Sequence, residues 1–320
     1  GPRDERCARA GGNARPGPPE ARARRLVAGG RSGREVEARL RCRETEQDRV
    51  ARGFRQRPPH EFRHVAHEMP PVEWRAREHG GSRISQAIED RAAMAWFENA
   101  VREERPDALV CTGDLTQRAT HQQYAAAAEW FAGLNTPIML QPGNHDMPYY
   151  NLWERFRSPY ARFGALEKAV GAQLELEHAV IVPFDTNVPA QMRWPWSDGV
   201  VTRKKIDAAL NRLAELRDDP RPKIIACHHP LLPERDGAKN PTIRGDLAFR
   251  ELAAAGATVV LTGHVHFPFD QIRSRENFAM RMIGAGTLST RLRKGAPPSY
   301  NVLRIDQTGL IDVEQRDFAR

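Results

Sequence analysis

The segment Ala108-Leu109-Val110-Cys111-Thr112-Gly113-Asp114 decides how this chain is read. Four apolar residues in a row, without helical spacing, read as a strand buried on both faces. A glycine and an aspartate follow directly. The same grammar recurs three times downstream. Ile138-Met139-Leu140 runs into Gly143-Asn144-His145-Asp146, and Ile224-Ile225-Ala226 into His228-His229-Pro230. Val259-Val260-Leu261 runs into Gly263-His264-Val265-His266. Ligands collect at the carboxyl ends of strands in open α/β sheets. Four strand ends would therefore bring one carboxylate, one amide and several imidazoles to one rim.

Helical segments separate these strands. Met94, Phe97 and Val101 share one helical face. Thr120 is placed to cap a helix carrying Tyr124, Ala127, Ala128, Phe131 and Leu134 on one side. Further helical stretches cover 152–170, a segment with Ile206, Leu210, Leu213 and Leu216, and one with Leu247 and Leu252 that stops at Gly256. Another strand is read at Ala179–Pro183, and the C-terminal part turns to strands alone at Phe278–Ile283, Tyr300–Ile305 and Leu310–Arg316. Strand–helix alternation followed by strands implies an α/β fold of layered sheets flanked by helices. No internal repeat is present.

Composition sets the outer bounds. The 320 residues are 40% hydrophobic, enough for a sizeable core. No run approaches the 18 or more apolar residues of a membrane span, and no apolar leader opens the sequence, so a cytoplasmic location is expected. The cysteines at 7, 42, 111 and 227 form no CxxC pair; Cys111 and Cys227 sit in apolar strands and read as buried free thiols. The net charge of +8 is uneven. Residues 1–92 hold 21 arginines and no lysine against 14 acidic residues, while the remainder nets only +1. A basic segment can bind nucleic acid, but its arginines lack interleaved aromatic residues and the rest lacks the charge of a basic groove, so a nucleic-acid partner is not expected. Residues 1–84 are sparse in apolar residues and aperiodic. They read as a disordered or non-native region, with the folded domain at 85–320.

The polar clusters form a coherent metal set. Imidazole suits zinc, iron and manganese, and carboxylate and amide oxygens suit harder ions. A carboxylate such as Asp114 can bridge two cations. Gly113, Gly143 and Gly263 stand where the backbone has to turn tightly beside them.

In this order and spacing the four motifs resemble the signature of the calcineurin-like metallophosphoesterases, and among these the bacterial cyclic-nucleotide phosphodiesterases, over about residues 92–320. The resemblance implies two mixed β-sheets packed face to face with helices outside. It implies a centre of two divalent or trivalent ions, with manganese, iron or zinc as the metals. Asp114 would bridge them, Asn144, His228 and His264 would complete one site, and His266 would belong to the other. His145 would contact the phosphate and assist the leaving group, with Asp146 orienting its ring; His229 would stand behind the ligands rather than among them. The implied reaction is hydrolysis of a phosphoester, a phosphodiester such as a cyclic nucleotide, by a hydroxide held between the ions. A homodimer is compatible with this reading. The loop Met192-Arg193-Trp194-Pro195-Trp196 offers a stacking face for a base, or is a surface loop anchored by its tryptophans. Arg203, Lys204 and Lys205 read as the first turn of an exposed helix.

One part of the signature is missing. The family opens on a strand ending in Asp-x-His, and this sequence has no Asp-x-His. His60, His64, His67 and His79 are the upstream histidines, and none is read as following a buried strand. Three accounts stand: His67 or His79 with a nearby glutamate substitutes; the chain is an impaired, metal- or nucleotide-binding relative; or residues 1 to about 85 are a shifted reading of the gene, which the other frames of the upstream DNA would reveal. Without a first strand, the sheet would lose a central member and expose an unpaired edge.

Overall fold

The computed structural model describes residues 60–65, 81–193, 195–235, 242–289 and 296–319, all within the compact unit Arg57–Arg320. The elements in chain order are β1 (His60–Val65), α1 (Gly81–Glu104), β2 (Ala108–Cys111), α2 (His121–Gly133), β3 (Ile138–Leu140), a 3₁₀ turn (Asn144–Asp146), α3 (Leu152–Arg157) and α4 (Ala161–Val170). There follow β4 (Glu175–Leu176), β5 (Ala179–Pro183), β6 (Gly199–Val200), α5 (Arg203–Glu215), β7 (Lys223–Ala226), β8 (Thr242–Ile243), α6 (Gly245–Ala254) and β9 (Ala257–Thr262). The chain ends in β10 (Phe269–Arg275), β11 (Phe278–Gly284), β12 (Ser299–Ile305) and β13 (Ile311–Asp317).

Two mixed sheets carry the fold. One has the order β13-β12-β1-β2-β3 and the other β10-β11-β9-β7-β5-β4, with β6 and β8 as a small separate pair. Alternation along each strand splits the core into layers. In β2, Ala108 and Val110 join Phe62, Met139, Ile181, Ile224, Val259, Leu261 and Leu303 between the sheets. Leu109 and Cys111 turn the other way, onto Phe97, Tyr124, Phe131 and Phe163 of the helices outside. The second sheet packs Val182, Ile225 and Val260 on Ile206, Leu213, Phe249 and Leu252 of α5 and α6. Layers run helix, sheet, sheet, helix, as the family resemblance implies.

Local rules account for several boundaries. Thr120 caps α2: its hydroxyl accepts from Gln123 N, and the Gln123 side chain accepts in return. The helical stretch expected over 152–170 is two helices, because Pro159 cannot continue the hydrogen-bond ladder and pushes Ser158 out of the helical region. Cys111 and Cys227 are free and fully buried, and burial pushes the Cys227 thiol up. Neither should react with iodoacetamide until the chain unfolds. Peptide mapping that finds either labelled in native protein would contradict this packing.

The first sheet does not lose its central strand. His60–Val65 fills the place between β12 and β2, parallel to β2 (His64 opposite Val110) and antiparallel to β12 (His64 opposite Asn301). Nor does the domain start at 85: that boundary falls inside α1. The strand was hidden because HEFRHV carries four polar side chains. Tertiary contacts make them tolerable. Phe62 and Val65 supply apolar burial on the two faces, worth about 2 kcal/mol each. The buried Arg63 guanidinium lies 4.9 Å from the Tyr300 ring centroid and pairs with Glu104. β10 also went unread, since FDQIRSR is an edge strand with Ile272 exposed. The expected disorder of 1–84 falls on residues outside those described, apart from β1 and the start of α1.

Candidate metal centre

The four polar clusters converge at the carboxyl ends of β2, β3, β7 and β9. Asp114, fully enclosed, is their hub. Its Oδ1 lies 3.5 Å from His228 Nε2, and its Oδ2 lies 3.9 Å from His266 Nε2. Asn144 Oδ1 is 3.1 Å from both His228 Nε2 and His264 Nδ1. One oxygen of Asp114 thus faces His228, which gathers with Asn144 and His264, and the other faces His266.

The chemistry of these donors fits a cation. His228 Nδ1 sits 2.7 Å from the Thr112 carbonyl, which only accepts, so Nδ1 carries the proton. Burial lowers the His228 pKa against the pull of Asp114, so the ring is neutral. Its Nε2 lone pair therefore points at two oxygens that are themselves acceptors, Asp114 Oδ1 and Asn144 Oδ1. Lone pairs gathered this way repel one another unless a positive charge lies among them. Burial would raise the Asp114 pKa, but the surrounding imidazoles, His228 first and then His266, His145 and His264, hold it well below the usual carboxylate range. The anion is ready for metal.

The backbone is shaped for this convergence. Asp114, His264 and His266 are non-glycine residues at φ 58°, 66° and 59°, a left-handed conformation that costs on the order of 1 kcal/mol or more apiece. Gly113, at φ 109°, leaves no room for a side chain: a Cβ there would stand 2.5 Å from His228 Nδ1. A Cβ on Gly143 would collide with Asp114 Oδ1.

His229 packs against His228 and His264. His228, His229 and His264 bring ring nitrogens within 4.8 Å of one another, but His229 has both of its nitrogens engaged. Nε2 donates to the Ser197 carbonyl at 2.8 Å, and Nδ1 meets the Thr186 hydroxyl at 2.8 Å. Its ring buttresses those of His228 and His264 at centroid distances of 4.6 and 4.5 Å.

Asp146 has a task other than the one expected. Its Oδ2 accepts from Leu115 N and Gly143 N at 3.0 and 2.8 Å. Its Oδ1 accepts from Thr116 N and Oγ1 at 2.8 and 3.0 Å. The carboxylate therefore staples the loop after β2 to the loop after β3. Burial, and then the Asp114 charge, push its pKa up to about 7 against the backbone donors that pull it down. The ring of His145 is instead held by the Gln117 carbonyl, 2.9 Å from Nδ1, while His145 N donates to Asp114 Oδ1 at 3.1 Å.

A cavity of about 710 Å³ opens over the cluster. Asp114, Asn144, His145, His264 and His266 form its floor, and Tyr149, Arg155, Trp196 and Asp198 its sides. Of the tryptophan loop, Trp196 reaches this cavity; Trp194 lies outside the described residues. Arg203 pairs with Asp207 and Glu251, and Lys205 with Asp185, as helix-surface residues do.

The profile of the calcineurin-like phosphoesterase family matches residues 86–268, more than half of the sequence. The chain belongs to this family, whose members are metal-dependent phosphoester hydrolases. A protein of Synechococcus sp. named as a probable cyclic nucleotide phosphodiesterase is 27% identical over 191 residues, 58% of this chain and 68% of that one. One of the same name from Rhodococcus erythropolis is 28% identical over 169 residues, and a cAMP/cGMP dual specificity phosphodiesterase of Mycobacterium tuberculosis 29% over 175. The matched stretch spans about half the length of these last two, 52% and 49%. Among solved structures, a dimetal phosphatase from Danio rerio superposes with a TM-score of 0.50 at 13% identity, covering 82% of this chain and all of that one. A purple acid phosphatase from yellow lupin gives 0.51 at 12% identity, covering 82% of this chain and 52% of that one. These two likenesses are of fold.

The first strand bears on the centre too. His64, fully buried on β1, places Nε2 3.3 Å from the Thr112 hydroxyl, and burial holds its pKa down to about 3. It braces the residue whose carbonyl orients His228. His67 and His79 lie outside the described residues. No helix among the described residues is long and apolar enough to cross a membrane.

Proposed function

We propose that this protein hydrolyses phosphodiesters, cyclic nucleotides among them, at a centre of two metal ions spanned by Asp114. The observation that supports this reading is the split environment of that carboxylate, with His228, itself gathered with Asn144 and His264, beside one oxygen and His266 beside the other. Manganese, iron or zinc suits the donors. When bound, the ions supply Lewis acidity for the phosphoryl oxygens and lower the pKa of a coordinated water. The chain's own residues do the rest. Asn144 follows Gly143 directly, and His264 and His266 hold position on left-handed backbone. The cavity walls receive the ester's organic part. His145 manages the proton of the leaving oxygen: its Nδ1–H donates to Gln117 O, leaving Nε2 as the nitrogen that gains or gives up a proton.

Leaving-group dependence tests the role of His145. His145→Ala should cost under tenfold on bis(p-nitrophenyl) phosphate, whose nitrophenolate departs unaided. On an alkyl ester such as a cyclic nucleotide it should cost ~10² or more. Equal losses on both would reassign His145 to phosphate binding. Turnover itself is measured on the Mn²⁺-loaded chain, and negligible hydrolysis of every diester with metal bound would sink the enzyme reading.

A second reading has one specific observation in its favour. On the His266 side of Asp114, no further carboxylate or imidazole is assigned among the described residues, and the residues that follow Val65 lie outside them. A relative that binds metal and nucleotide with a weakened first site would hold about one ion per chain instead of two, which metal analysis distinguishes.

A further inference from the structure

Arg155 sits at the cavity wall as a cation with no counter-charge among the described residues. It is 6% exposed and lines the same cavity as Asp114, His145 and His266. Two of its five N–H groups are spent on backbone: Nε donates to Pro189 O at 2.6 Å and Nη1 to Pro148 O at 3.2 Å. Its Cζ stands 6.0 Å from the centroid of the Trp196 ring. No carboxylate among the described residues pairs with it. The nearby acids each have another cation: Glu154 is taken by Arg162, Asp185 by Lys205, and Asp198, itself on the cavity wall, by Arg193. Burial lowers the Arg155 pKa, with Tyr160 and Tyr149 opposing.

A buried guanidinium left unpaired is costly, and a fork of free N–H donors beside a cavity is a receptor for a planar or tetrahedral anion. The position of Arg155 says which anion. Of its anchors, Pro148 lies just beyond the Asn144–Asp146 turn at the end of β3, while Pro189 and Trp196 lie on the segment between β5 and α5, away from the strand ends that carry Asp114, His228 and His264. The scissile phosphoryl group is claimed by the strand ends. Resting on the phosphodiesterase reading above, we infer that Arg155 receives a second anionic group on the organic part of the substrate, so that the preferred substrates are phosphoesters bearing another phosphate or carboxylate, with Trp196 beside it as an apolar contact for the group between.

Calorimetry on the Mn²⁺-loaded chain tests this with two ligands that differ by one phosphate, thymidine 5′-phosphate and thymidine 3′,5′-bisphosphate. The wild-type chain should bind the bisphosphate at least tenfold more tightly. Arg155→Met should remove that advantage while changing the monophosphate's affinity less than threefold, and Arg155→Lys, which keeps the charge but not the fork, should keep part of it. Equal affinities in the wild type, no binding of the bisphosphate, or a loss shared equally by both ligands in Arg155→Met would overturn the proposal; the shared loss would make Arg155 a clamp between loops. Since binding is read directly, failure of the phosphodiesterase reading shows separately, as absent turnover of bis(p-nitrophenyl) phosphate.

Discussion

Asp114→Ala should lower kcat/KM for bis(p-nitrophenyl) phosphate by ~10³-fold or more, equivalent to about 4 kcal/mol of transition-state stabilisation. Bound metal should fall with it. Both sides of the centre depend on this one side chain, since Asp114 oxygens approach His228 on one side and His266 on the other. In the proposed centre every other donor would serve one ion alone, so His266→Ala should cost less metal than Asp114→Ala. Asp114→Asn separates charge from shape. It retains an oxygen that can accept from His145 N, a bond of 3.1 Å in the native chain, but gives up the negative charge that the proposed pair of cations would share. Its activity should fall nearly as far as that of the alanine variant, with less loss of stability. Metal content by plasma emission and steady-state kinetics are the measurements. An alanine variant that kept both its metal and its turnover would refute the bridging role.

The second large effect is on stability. Asp146→Ala should destabilise the protein by about 3–5 kcal/mol, because it strands three buried backbone N–H groups and the Thr116 hydroxyl. These donors belong to two different loops, so the loss unfastens the rim and metal affinity declines too. Asp146→Asn retains one acceptor oxygen but sets an NH₂ against a backbone N–H, and should cost roughly half as much. Urea denaturation reads both variants. Equal stability of Asp146→Ala and the wild-type chain would show that the staple contributes nothing, and would return Asp146 to the ring-orienting task that the Gln117 carbonyl now fills.

The roles of Asp146 and Gln117 mark where sequence reading stops. In linear order, Asp146 neighbours His145 and invites a pairing with its ring. In space the 3₁₀ turn carries the carboxylate back toward Gly143, Leu115 and Thr116, and Gln117, 28 residues earlier, supplies the carbonyl. Arg155 is a similar case. An arginine in a short helix reads as solvent-facing, and only the loops around Pro148 and Pro189 bury it at a cavity wall. The strand His60–Val65 was illegible for a related reason: strand reading depends on apolar runs, and this strand's buried Arg63 and His64 meet Glu104, Tyr300 and Thr112, all distant in sequence.

By itself the sequence determined the strand–helix order and the placing of Asp114, Asn144, His228, His264 and His266 directly after buried strands. It could do so because apolar runs and the glycines beside tight turns are local signals, set by hydrophobic burial and backbone sterics within a few residues. Tertiary structure alone decided that His60–Val65 lies between β12 and β2, that His229 spends both nitrogens on Ser197 and Thr186, that Asp146 fastens two loops, and that Arg155 lines the cavity with no partner acid among the described residues. Those outcomes depend on which groups meet across the sheets, and a hydrogen bond or charge pair between distant residues leaves no periodic trace in either partner's neighbourhood.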